Sequence, residues 1–94
     1  MYEWDEAKRQ RNLRKHGVDF VEMERFNWAV SVVFEGLRER YFEQRWLASG
    51  PIGDVGYALA FTEPEDGVIR VISLRRATTR ETRLYAKEIR KTHH

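Results

Sequence analysis

Cysteine is absent, so the chain can build no disulfide, no thiolate zinc site and no cysteine nucleophile, a composition that fits the cytoplasm. No stretch approaches the roughly eighteen consecutive apolar residues of a membrane-spanning helix. The first twenty residues are charged, and we expect neither a membrane segment nor a signal peptide. Also missing are a glycine-rich phosphate loop, a G-x-S-x-G elbow, an H-E-x-x-H pair and an EF-hand loop. Histidine is scarce: His16 is the one internal copy, with His93 and His94 at the end. Metal centres need several clustered imidazoles or carboxylates, so we expect no metal and no cofactor. There is no internal repeat, low-complexity tract or linker.

What is present suits one compact domain over residues 1–94 with a modest two-layer core. The chain is 41% hydrophobic with twelve aromatics, which is globular despite 34% charged residues. Net charge is only +2 but unevenly spread: residues 70–94 hold eight Lys/Arg against two Glu, and residues 1–69 hold nine against thirteen acids. The positive field is therefore concentrated near the end of the chain, where it favours a polyanion, nucleic acid above all, or an acidic protein partner. The plainer alternative is a lysine- and arginine-rich helix face that serves only to meet water.

Tyr2–Trp4 reads as a short strand. Asp5 is placed as an N-cap for a helix over Glu6–His16, which Gly17 ends. Its apolar content is only Ala7 and Leu13, whereas Lys8, Asn12, Lys15 and His16 share one arc. Asp19 and Glu22 suggest a capping box for a second short helix carrying Phe20, Val21, Met23 and Phe26 and ending near Asn27. The period then changes to two: a strand over Val30–Phe34, a turn over Gly36–Glu39, and a partner strand over Tyr41–Ala48. SGPIGD reads as a loop. Tyr57, Leu59 and Phe61 alternate with Ala58, Ala60 and Thr62, which calls for something wide such as a helix against the aromatic face. After the Asp66-Gly67 turn, Val68–Leu74 is a two-sided buried strand, and Thr78 with Glu81 is a capping box opening a last helix. There Leu84, Tyr85, Glu88 and Ile89 share one side, with Arg80, Arg83, Lys87, Arg90 and Lys91 on another. Thr92 to His94 should fray. The expected fold is α+β: one mainly antiparallel four- to five-stranded sheet with two N-terminal helices and one C-terminal helix packed on it.

This inventory of arginines, lysines and one histidine suits cleavage of RNA by its own 2′-hydroxyl, since the nucleophile lies in the substrate and no metal is required. Guanidinium forks hold phosphate oxygens and stabilise the pentavalent phosphorane. Arg75 and Arg76 stand where a strand end meets a helix start, but in an extended chain their side chains have opposite parity, so only one serves a given site while the other is free for a structural ion pair. Proton transfer falls to His16, Glu81 or Tyr85. Each also has a structural role open to it: His16 at a helix C-terminal dipole, Glu81 as a cap, Tyr85 in the core beside Leu84 and Ile89. Asn12 suits a buried hydrogen-bonding fastener, and Trp46 and Tyr57 suit core packing better than base stacking.

Two segments together, YEWDEAKRQRNLRKHGVDF and GVIRVISLRRATTRETRLY, resemble the BrnT toxin family. Its pattern is W-D-x-x-K-x-x-x-N-x-x-K-H-G-[VL]-x-F early and I-R-[IV]-I-S-x-R-x-A-x-x-x-E-R-x-x-Y late. Trp4, Asp5, Lys8, Asn12, Lys15, His16, Gly17 and Phe20 match the first block; Ile72, Ser73, Arg75, Ala77, Glu81 and Tyr85 match the second. The resemblance implies a RelE-like ribonuclease fold and a type II toxin–antitoxin toxin that cleaves RNA and arrests growth. It also implies a cognate antitoxin, commonly a ribbon-helix-helix (BrnA-like) protein, in a heterotetramer. Carried over, it puts Arg75, Arg76, Arg80 and Glu81 near the scissile phosphate with His16 among the catalytic groups. Lys8, Asn12 and Lys15 line the facing helix, with Arg83 and Tyr85 as further substrate contacts. Where the pattern has Arg directly after Glu this chain has Thr82, so the second basic group is Arg80 or Arg83. A second reading keeps the same basic patch without catalysis, as a binding module inside an antitoxin-containing, DNA-bound repressor complex.

Overall fold

In a computed structural model, which describes residues 1–36 and 44–92, five strands form one sheet in the order β1-β5-β4-β3-β2. They are β1 (Tyr2–Glu3), β2 (Val32–Glu35), β3 (Trp46–Ile52), β4 (Val55–Glu65) and β5 (Val68–Arg76), with α1 (Glu6–His16) and α2 (Thr79–Thr92). Only β1 runs parallel to its neighbour, β5; the other pairings are antiparallel, and the α+β class stands. The turn expected over residues 36–39, past Gly36, the strand residues expected over 41–43, and His93 and His94 lie outside the described residues.

α1 takes the expected bounds because its ends are chemically marked. The Asp5 carboxylate accepts from the amides of Ala7 (2.8 Å) and Lys8 (3.2 Å), and Gly17 turns left-handed at φ 70° with its N–H on the Leu13 carbonyl. Asn12 is the helix's single buried residue. α1 is therefore fastened by a hydrogen-bonded amide where most surface helices use an apolar stripe.

The second N-terminal helix winds as a 3₁₀ helix over Phe20–Arg25, and a second 3₁₀ turn, Trp28–Val30, follows. Spacing explains the difference from an α-helix: Phe20, Met23 and Phe26, all buried, recur every three residues, the period at which 3₁₀ side chains eclipse. Glu22 does not close a capping box; Asp19 accepts from Val21 (3.1 Å) and is gripped by Arg9 through two bonds of 2.8 and 2.9 Å. Phe20, Met23 and Phe26, with Val18 and Trp28, cover the inner face of the sheet: Ala48, Ile52, Leu59, Phe61, Val71 and Leu74. The wide element expected against the aromatic face of β4 is thus a pair of 3₁₀ segments, with Trp28 edge-on to Phe61 at 5.5 Å.

The segment expected as a loop, SGPIGD, is instead strand through Ile52 and a turn at Gly53-Asp54. β2 pairs with β3 only as far as Ser49, so Pro51 stands where that edge has no strand beside it and the missing N–H breaks no ladder bond. Its carbonyl accepts from Asn27. Gly50 is required by close approach, since a Cβ there would lie 2.8 Å from the Phe26 ring and 2.9 Å from Ser31 Cβ.

On the outer face, Ala58 and Ala60 of β4 leave room for α2. Its capping box is reciprocal: the Glu81 amide bonds Thr78 Oγ1 at 3.1 Å, and Glu81 Oε1 accepts from the Thr78 amide at 2.8 Å. Tyr85 and Ile89 are half-buried, but α2 buries no residue fully, and Leu84 stays 50% exposed. Thr92 closes the helix.

Candidate functional site

β5 pairs with β1 only at Ile69 and Arg70, which leaves its edge open further along. α1 fills that gap. The Asn12 side chain accepts from the Leu74 amide at 3.1 Å and donates to the Leu74 carbonyl at 2.7 Å and to the Val18 carbonyl at 3.0 Å. An amide side chain thus completes the sheet edge as a strand would, and it satisfies backbone groups that are costly to bury unpaired.

The register then slips by one: Ala60 faces Ser73 but Phe61 faces Val71, so Ile72 is an extra residue in β5. Such a bulge bends a strand and re-aims its side chains. Ile72 and Ser73 both line a hollow of about 330 Å³ whose other wall is Lys8, Arg11, Asn12, Lys15 and His16. The polar arc of α1 therefore faces β5 across one concavity. Ser73 also borders a second groove, of about 170 Å³, which contains Arg75, Glu81, Leu84 and Tyr85. The two hollows meet at Ser73.

Arg75, on the outer face opposite Ala58, is held by Glu81 in a fork of 2.7 and 2.8 Å, and its Nη1 also donates to the Arg76 carbonyl at 3.3 Å. Bonding to Arg75, reinforced by the Thr78 amide, brings the Glu81 carboxyl down to about 2 against the cost of burial. It is ionised near neutrality with both oxygens engaged, a poor store for a proton in transit. His16 titrates below its ordinary value, first through burial, then through the charges of Lys15 and Arg75. Those charges place the imidazole in the field of both cations and favour its neutral form near pH 7.

The other sequence candidates divide. Arg76 pairs opposite Tyr57 and so belongs to the inner-face side, away from Arg75. Arg80 is exposed on the first turn of α2. Arg83 is also exposed, and at about 100° per residue it lies about 160° around the helix from Tyr85, on the outer surface. The Tyr85 hydroxyl donates to the Val30 carbonyl, tying α2 to the segment before β2. Trp46 and Tyr57 pack half-buried against the core. In the hollow beside α1, two polar lining residues escaped the sequence reading. Arg11 stands three residues from Lys8 and four from Lys15, on the same arc; Ser73 interrupts an apolar strand. Both signals were visible. Among the described residues no three His, Cys, Asp or Glu side chains gather to hold a metal ion.

A family model described as the ribonuclease toxin, BrnT, of a type II toxin–antitoxin system matches residues 4–81. The crystal structure of the Brucella abortus ribonuclease toxin BrnT aligns with a TM-score of 0.66 and 34% identity, covering 84% of this chain and 99% of that one. No curated protein matches.

Proposed function

Since the chain belongs to the BrnT family of ribonuclease toxins of type II toxin–antitoxin systems, we propose that it is an endoribonuclease whose cleavage site is the hollow between α1 and β5, with Arg75 bordering it across Ser73. The observation that carries this is that the hollow lined by His16 and Lys15 and the groove lined by Arg75 share Ser73 as a common border, with the imidazole in the field of the Arg75 charge.

The cleavage runs without a metal ion. Neutral His16 takes the proton from a ribose 2′-hydroxyl, whose oxygen attacks the adjacent phosphorus. The bond to the 5′-oxygen breaks, that oxygen takes a proton from solvent, and the products carry a 2′,3′-cyclic phosphate and a 5′-hydroxyl. Lys8, Arg11 and Lys15 hold the flanking phosphates. Arg75 faces the scissile one. Glu81 takes one N–H from each Nη and the Arg76 carbonyl takes the second from Nη1, which fixes the guanidinium plane and leaves Nε–H and one Nη2 hydrogen for phosphorane oxygens. Glu81 and Asn12 act as positioning residues, one for Arg75 and one for α1. The protein works as a single toxin domain in the cytoplasm and is silenced by its cognate antitoxin.

The test is RNA incubated with purified protein in EDTA. Cyclic-phosphate ends should appear, Arg75→Ala should slow their formation by about 10²-fold or more, and Arg76→Ala and Arg83→Ala should cut at nearly the wild-type rate. Intact RNA at enzyme excess, with a folded protein by circular dichroism, would overturn the nuclease and leave the non-catalytic binding module.

A further inference from the structure

In a chain with 34% charged residues, one contiguous apolar exposure stands out. Phe34 of β2, Leu47 of β3 and Leu84 of α2 are 40%, 46% and 50% exposed, and all three line the 170 Å³ groove floored by Ala58 and Ala60. The groove exists because the outer face carries alanines where the inner face carries Leu59 and Phe61, so α2 and the floor do not fill the space between them. β2, the last strand of the sheet, brings Phe34 to this rim opposite Leu47, with Val32 on the same face and the strand's one charged residue, Glu35, on the other. Natural edge strands are normally blunted with charge or proline, and clustered apolar exposure of this kind marks a protein-binding surface.

Charge narrows the choice of occupant. Arg80, Lys87 and Lys91 stand at i−4, i+3 and i+7 from Leu84, on the same side of α2, and all three are exposed. At the groove's other end stand Arg75 and Glu81. An apolar trough edged by a row of cations fits a segment that alternates apolar and acidic side chains. A nucleic acid would match the cations but leave the Phe34, Leu47 and Leu84 surface largely unmet.

We propose that this groove receives a segment of the cognate antitoxin, which inserts apolar side chains among Phe34, Leu47 and Leu84 and sets acidic ones against Arg80, Lys87 and Lys91. This docking site presupposes the toxin reading above and adds to it the surface that the partner covers. Because the same groove ends at the Arg75–Glu81 fork, an acidic side chain at that end of the docked segment meets the guanidinium that RNA needs. Docking and cleavage then compete for one residue.

The probes are the intact cognate antitoxin and overlapping fluorescein-labelled peptides tiled across it, titrated into the full-length toxin by anisotropy. Leu47→Asp and Leu84→Asp should each weaken intact antitoxin by about tenfold or more, and one tile rich in apolar and acidic residues should lose binding in parallel. Lys87→Glu should weaken binding at low salt, with the deficit shrinking as salt rises. RNA cleavage by all three variants should stay within about twofold of wild type, since the cleavage chemistry touches none of these residues. Leu84→Gln and Lys87→Glu, at exposed helix positions, carry the test if an aspartate variant fails to fold. Antitoxin binding of wild-type strength by the folded variants, or no binding by wild type, would overturn the site. So would loss of RNA cleavage with antitoxin binding intact, which would assign the groove to RNA bases. If wild-type toxin cuts no RNA while the groove variants still shed the antitoxin, the nuclease reading fails and the docking site stands.

Discussion

Removing the side-chain amide of Asn12 tests whether this residue fastens α1 or touches substrate. The side chain is buried, 6% exposed, and makes three hydrogen bonds to backbone groups 6 and 62 residues away. Asn12→Ala leaves the Leu74 amide and two carbonyls without partners. An unsatisfied buried group costs about 1–3 kcal/mol, and water entering the vacated space recovers part of that, so the net loss should be about 2–4 kcal/mol. Against a typical 5–15 kcal/mol for a domain this is a large share, and at about 4–8 °C per kcal/mol it lowers the melting temperature by about 8–32 °C. Asn12→Asp should do no better: its carboxylate still accepts from the Leu74 amide but turns an anionic oxygen toward two carbonyls. Thermal unfolding by circular dichroism measures the loss. Cleavage assayed below the variant's transition should also fall, because Lys15 and His16 ride on the same helix. A variant that melts within about 2–3 °C of wild type yet fails to bind RNA would refute the fastening role and restore Asn12 as a substrate contact.

The cleavage rate should rise with pH along a limb whose midpoint lies below about 6.5, the ordinary histidine value, and His16→Ala should abolish that limb; an unchanged profile in the variant rules His16 out as the base. The same shift works against stability in acid. Below about 6.5 the unfolded chain binds the His16 proton first, so the urea midpoint should fall as pH drops from there toward the lower folded value, less so in His16→Gln. For Glu81, whose folded value is about 2 against 4.5, the contribution is full above 4.5 and lost as pH falls from 4.5 toward 2. With side chains about a third exposed, that shift is worth about 1–2 kcal/mol after screening, and Glu81→Gln should lose this much at neutral pH but little near pH 2.5; equal losses at both would remove the ionic fork from the account. Tyr85→Phe should cost about 1 kcal/mol of stability and leave cleavage near wild type, since its hydroxyl is spent on the Val30 carbonyl; a 10²-fold rate loss would make it catalytic instead.

Local chemistry was legible residue by residue. Asp5 and Gly17 bound α1, Thr78 and Glu81 open α2, and alternation in Tyr57–Phe61 marks β4, because each signal acts within a few residues of itself. The block of basic residues on α1 and the arginine near the end of β5 could likewise be read as one chemistry. The errors fell where a neighbour decides. Pro51 lies within a strand because β2 stops short of it, and the second helix tightens to 3₁₀ because Phe20, Met23 and Phe26 must all reach one core.

The order of residues by itself determined the α+β class, the family and the set of cations available to a phosphate, since caps, period and composition are properties of short stretches. Which cations work together was decided only in three dimensions. Pairing with β4 selects Arg75, opposite Ala58, over Arg76 for the outer groove, Asn12 closes a sheet edge 62 residues away, and one bulge at Ile72 brings Ser73 to the seam between two hollows. Each depends on the register of strands distant in sequence, and register is fixed by packing across the whole sheet, which no single segment encodes.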